Sequence, residues 1–185
     1  MKLSFFLAAM LCFTSLFAEV NKGDKVEAFN ANDDMGLLWT SKESFSKDYL
    51  IVYFYPAAMT PGCTKQACAY RDNEKELAAV GAQVVGVSGD SVVNLAAFKK
   101  MHNLNFPLLS DVNGLIASRF GVPSRNGGKI TREIGGKQLD FTRSASMSRW
   151  TFVIDKEGKV IYKNTKVNAP EDSKTVIEIL KSMKK

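Results

Sequence analysis

The strongest constraint on the fold is residues 49–56, YLIVYFYP. The run is β-branched and aromatic with no polar break, as in a strand buried on both faces. Such strands lie inside sheets that helices cover on both sides. The chain then turns at Thr60, Pro61 and Gly62, with Cys63 directly after them. Thr suits a helix N-cap, Pro the first helical position, and Gly leaves the backbone open. Together these features predict a central strand followed closely by a helix, with Cys63 in its first turn.

The remainder alternates between helix and strand patterns. Residues 65–81 are helical in composition, and Gly81 stops them. Residues 82–89 read as a second buried strand. Residues 91–103 read as a helix with apolar spacing at Val93, Ala96, Ala97 and Met101. A short strand follows at 106–111, then a helix at 113–122 closed by Gly121. Residues 149–165 read as a hairpin turning at 155–159, and 171–185 as an amphipathic helix. Residues 124–148 break the rhythm with two Gly-Gly pairs. Within them, 129–143 read as a hairpin turning at Gly135-Gly136, since paired glycines accept positive φ; a surface loop is the alternative. The expected fold class is α/β, a three-layer fold with a central mixed β-sheet flanked by helices. A chain of 185 residues, 45% apolar and 24% charged, is one domain's worth of soluble globular protein.

The N-terminus reads differently. Lys2 is followed by a nearly continuous apolar run at 3–17, ending at small Ala18 before Glu19. This is the layout of a secretory signal peptide, 1–18, with a single domain at 19–185. As a helix the run spans about 22 Å, short of the ~30 Å hydrocarbon core, so an anchor is not expected after cleavage. Removal of Lys2 takes the formal charge from +6 to +5, and removal of Cys12 leaves Cys63 and Cys68. A periplasmic or secreted location is an oxidising one, where a cysteine pair staples a fold or does redox chemistry. The positive charge is spread along the chain, the pattern of solvated faces and not of a nucleic-acid site.

The cysteine spacing narrows the chemistry. A structural zinc site needs four ligands, and the mature chain offers two Cys and His102. A metal site is therefore not expected. If Cys63 and Cys68 share a helix, their Cα atoms sit about 8–9 Å apart. A disulfide needs them within about 7 Å. The bond then forms only when the helix start unwinds, which suits a redox switch better than a permanent staple. Cys63, in the first turn, has free amides and the helix dipole to stabilise a thiolate; Cys68 lacks both. Cys63 is therefore the candidate nucleophile and Cys68 its partner.

These residues resemble a known family. PAAMTPGC matches the Pro-x-x-x-Thr-x-x-Cys motif of the peroxiredoxins, and a second cysteine five residues on resembles their Q, or bacterioferritin-comigratory, subfamily. The resemblance runs from about Gly23 to the C-terminus and includes NFPLLSD and RWTFVID. It implies a thioredoxin-like fold and thiol-dependent reduction of hydrogen peroxide and organic hydroperoxides with no cofactor, neither metal, haem nor flavin. It also implies Cys63 as the peroxidatic and Cys68 as the resolving cysteine, Thr60 as a pocket hydroxyl, Pro56 as its shield and Arg149 as the pocket arginine. A sulfenic acid and an intramolecular disulfide would follow, reset by a thioredoxin-like dithiol protein. The chain lacks a C-terminal Tyr-Phe segment like that of the typical two-cysteine members, so resolution within one chain and a monomer are expected.

Alternatives accompany several of these assignments. Thr60 can be a helix cap as well as a pocket residue, and Arg143 is the rival to Arg149. His102 reads as a surface or capping histidine, and Trp39 and Trp150 as packing residues. At the level of function, an exported thiol-disulfide oxidoreductase acting on protein disulfides is the alternative, although such proteins generally use Cys-x-x-Cys. A binding module with an unreactive Cys63 is the non-enzymatic reading.

Overall fold

The computed structural model describes residues 19–45 and 47–184; the expected signal peptide lies outside the described residues. Strand β3 (Tyr49–Phe54) is central, as its unbroken apolar run predicts. It pairs in parallel with β4 (Ala82–Ser88), and antiparallel with β8 (Trp150–Asp155) from Tyr49↔Asp155 to Phe54↔Trp150. With β1 (Asn30–Asp33), β2 (Leu38–Thr40), β5 (Leu108–Ser110) and β9 (Val160–Asn164) it makes a seven-stranded mixed sheet, order β2-β1-β5-β4-β3-β8-β9. The strands β1 and β2 have no counterpart in the sequence reading, because their residues are polar and mixed.

Side chains alternate across a strand, and β3 therefore feeds two cores. Ile51 and Tyr53, with Tyr55 just beyond, pack with helices α2 (Pro61–Asp72), α4 (Val92–His102) and α6 (Asp172–Met183). Leu50, Val52 and Phe54 pack on the other face with α5 (Leu115–Arg119), Phe120 and Phe29. Helices on both faces of a mixed sheet give the expected three layers.

Two helices depart from expectation. The segment read as one helix at 65–81 is two, α2 and α3 (Glu74–Ala79), with Asn73 between them. The Asn73 side chain donates to the Ala69 carbonyl at 2.8 Å and to Ser173 Oγ at 3.0 Å. Such local competition for a backbone acceptor ends helices. In α4 the buried residues are Asn94, Leu95 and Phe98, while Val93 is 77% and Met101 40% exposed. Leu95 and Phe98 offer more apolar area three residues apart than the alanines do, so they choose the inward face.

The glycine-rich segment is a hairpin, longer than expected: β6 (Ser124–Ile134) and β7 (Lys137–Met147). Its two-residue turn has φ of 57° at Gly135 and 75° at Gly136, the left-handed pair that such a turn demands. Its root is fixed to the body. Phe141 is buried in the core beside α2 and α4, and Asn94 Nδ2 donates to the Thr142 carbonyl at 2.8 Å. Gly89 allows this approach, since a Cβ there would lie 2.3 Å from the Ala145 carbonyl oxygen.

Candidate active site

The loop leaving β3 delivers Cys63 to the third position of α2. The residue is 1% exposed, and Cys63 and Cys68 are both free thiols on one continuous helix. Arg149, immediately before β8, donates from Nη2 to Cys63 Sγ at 3.3 Å. Position 62 lies beside the guanidinium, where a Cβ would come into van der Waals contact with Nη2 at 3.4 Å. A fixed cation and the free amides of a helix start thus face one sulfur.

The guanidinium is itself held. Arg149 Nη1 donates to Gln66 Oε1 at 2.5 Å, and Gln66 Nε2 donates to Asp172 Oδ2 at 2.7 Å. Tyr70 and Thr151 hydroxyls donate to the same oxygen, each at 2.7 Å. Asp172 is buried, and its other oxygen, Oδ1, has no hydrogen-bond partner. Burial raises its carboxyl above the usual range, against the opposing pull of the three donors and of Arg149. Burial also pushes the Tyr53 hydroxyl far up, with the charge of Cys63 the next cause, so this neighbour stays protonated.

The loop before α2 is tied down on its other side. Ala58 N donates to Asp90 Oδ2 at 2.8 Å, as does Ser88 Oγ at 3.0 Å. Met59 takes a left-handed φ of 63°, and its carbonyl accepts from Arg132 Nε of the hairpin at 2.9 Å.

Each residue singled out in the sequence can now be placed. Thr60 occupies the N-cap position, but its side chain makes no capping bond; the hydroxyl donates backwards to the Ala57 carbonyl at 2.9 Å. The expected cap is therefore corrected to a loop-closing bond. Pro56 is half-buried and lines an open cleft of about 340 Å³ with Pro123, Arg125 and Ser146. Of the two arginines, Arg149 touches the sulfur. Arg143 instead forms a backbone bridge with Asp90, and its Nε and Nη1 are buried with no hydrogen-bond partner. His102 ends α4 with its ring 5.2 Å from that of Phe98. Trp39 packs on Phe29, and Trp150 lies under the Lys163 ammonium. Gln66 and Asp172 were not read from the sequence. Gln66 carried a usable signal, since three residues after Cys63 is the same helix face. Asp172 lies 106 residues from Gln66, and nothing local marks it.

Comparison with known proteins agrees with this geometry. Residues 22–163 match the AhpC/TSA family. Over 178 residues the chain is 36% identical to the chloroplastic peroxiredoxin Q of Sedum lineare, covering 96% of this chain and 87% of that one. The crystal structure of peroxidoxin BcpB from Mycobacterium tuberculosis is similar with a TM-score of 0.73 at 35% identity, over 88% of this chain and 97% of that one. Peroxiredoxin Q of Xanthomonas campestris gives 0.68 at 28% identity, over 85% and 92%. The fold is thioredoxin-like, and the protein is a thiol-dependent peroxidase. The chain belongs to the AhpC/TSA family, on the side of its Q-type peroxiredoxins.

Asp172 gives a pH test. Its carboxyl is raised in the fold, so the stability it contributes is complete below the unfolded value of about 3.9 and is lost as pH rises through the folded value. In Asp172→Asn the buried charge is removed, while the amide oxygen, with two lone pairs, still accepts from the donor cluster. Thermal unfolding from pH 4 to 8 should show the variant gaining on wild type as pH rises. A variant that falls further behind wild type at neutral pH would show that the ionised carboxylate is stabilising.

Proposed function

We propose that the chain reduces hydrogen peroxide and organic hydroperoxides at Cys63, with Cys68 as the resolving thiol. The observation that carries this is the 3.3 Å contact between Arg149 Nη2 and Cys63 Sγ on the same helix as a second free cysteine. The Cys63 thiolate attacks the terminal oxygen of the hydroperoxide and the O–O bond breaks. The sulfur becomes a sulfenic acid, and the alkoxide or hydroxide leaves with a proton as alcohol or water. The charge that grows on the leaving oxygen falls within reach of the Arg149 fork and the amides at the α2 start, which are already in place. Thr60 orients the peroxide: with its proton committed to the Ala57 carbonyl, its lone pairs are free to accept. Pro56 shields the approach to this pocket.

The second half is a thiol condensation. Cys68 attacks the sulfenic sulfur, water leaves and a disulfide forms within one chain. A thioredoxin-like dithiol protein then reduces it by exchange. Because Cys63 and Cys68 lie five residues apart on an intact helix, α2 must unwind at its start for this step. The chain acts as a monomer, exported to the periplasm or the exterior after cleavage between Ala18 and Glu19. The apolar run at 3–17 and Ala18 support that location.

Rapid mixing of the reduced protein with hydrogen peroxide tests the roles. Cys63→Ser should abolish consumption. Cys68→Ser should complete one fast turnover and stall as a sulfenic acid, seen as a gain of one oxygen in the intact mass. Equal initial rates in wild type and Cys63→Ser would overturn the assignment. For location, protein recovered from outside the cytoplasm should begin at Glu19; recovery only from the cytoplasm with Met1 intact would contradict export.

A further inference from the structure

Forming the Cys63–Cys68 bond requires the first turns of α2 to unwind, and residues 57–60 lead straight into those turns. Two consecutive residues of this loop, Ala58 and Met59, are held from the hairpin side, one through Asp90 and one directly. The Ala58 N–H is taken by Asp90, whose backbone bridges to Arg143 of the β6–β7 hairpin. The Met59 carbonyl is taken by Arg132 of the same hairpin. Met59 is not a glycine yet sits at φ 63°, a conformation that costs free energy and persists only where surroundings impose it. Release of the loop would relieve that cost, so whatever holds it opposes unwinding.

Arg132 is well set for this task. Its Nη1 donates to the carbonyl of its own neighbour Thr131 at 3.0 Å, which fixes the guanidinium plane while Nε reaches Met59. The hairpin is a firm base, because Phe141 shares one apolar cluster with Met59 and Cys63 and pairs across the strands with Ile130. Arg132 itself is half-buried, at the side of the loop and not among the groups that touch the sulfur.

We propose that the β6–β7 hairpin is a clasp on the active-site loop and that Arg132 is its positioning residue, holding Met59 and the α2 start in the peroxide-reducing arrangement and thereby delaying disulfide formation. This rests on Cys63 and Cys68 being the reacting pair. The clasp sets a competition. The sulfenic acid at Cys63 either condenses with the Cys68 thiol, releasing water, or takes an oxygen from a second hydroperoxide, giving a sulfinic acid and releasing the alcohol or water. A tighter clasp lengthens the life of the sulfenic acid and favours the second outcome.

The test is Arg132→Met, which keeps an apolar stem and deletes the hydrogen bond. Lys129→Met is the control: Lys129 pairs with Asp140 on the exposed part of the hairpin. Reduced mature protein, residues 19–185, is mixed with hydrogen peroxide at rising concentration, quenched, and its sulfenic, disulfide and sulfinic forms separated by mass. Arg132→Met should condense about tenfold faster, the factor one charge-assisted hydrogen bond supplies. Its sulfinic fraction at high peroxide should fall by a similar factor, with the first oxidation changed less than about threefold on the same scale. Lys129→Met should match wild type. Unchanged or slower condensation in Arg132→Met would overturn the clasp. A large loss in the first oxidation would also overturn it, by placing Arg132 in the peroxide pocket. Failure of the site reading itself would show separately, as peroxide consumption that survives Cys63→Ser.

Discussion

The contact between the Arg149 guanidinium and the Cys63 sulfur depends on three distant segments meeting in the interior. Helix α2 brings the sulfur, the start of β8 brings the arginine, and the first residue of α6 brings the carboxylate that anchors the link between them. Gln66 makes the connection directional. Its carbonyl end can only accept and meets the guanidinium; its amide end can only donate and meets Asp172. Because Gln66 is neutral, Arg149 is not paired directly with a carboxylate, and its charge remains directed at the sulfur. A buried carboxylate with one bare oxygen is costly, so the network trades stability for a fixed arginine.

The same burial that encloses Cys63 sets the difficulty of the proposed second step. The sulfur is 1% exposed on a helix whose geometry keeps Cys68 out of bonding range. On the proposed mechanism, attack by Cys63 uses the intact helix, whose dipole and free amides face the sulfur, and bonding to Cys68 opens it. The loop before α2 sits between these demands, held by Asp90 and Arg132 around a left-handed Met59. Through Arg132 the long hairpin reaches the loop that leads into the site.

Much of this was legible in the sequence because the relevant signals are local. The apolar run at 49–56 marks a central strand, Pro61 marks a helix start, and a Gly-Gly pair marks a hairpin turn. The cysteine spacing and the arginine before β8 pointed to the site. What failed depended on competition between local and tertiary partners. The Thr60 hydroxyl had two acceptable uses, cap or loop bond, and only the folded loop offers it the Ala57 carbonyl. Asn73 had no apolar signature, yet its side chain ends α2. The inward face of α4 was misread because Val93 and Met101 fit a helical period that Leu95 and Phe98 fill with greater area. Asp172 and Arg132 act through contacts 106 and 73 residues away in sequence, beyond any periodicity.

The central claim is that α2 is intact when Cys63 meets peroxide and open when Cys63 is bonded to Cys68. Amide hydrogen exchange at residues 65–70, measured on the reduced and the disulfide forms, tests it most directly. The reduced form should exchange slowly there, within an unbroken helix, and the oxidised form quickly, while strands β3 and β4 stay protected in both. Equal protection of residues 65–70 in the two forms would mean that the cysteines bond without unwinding the helix, and the switch would be refuted.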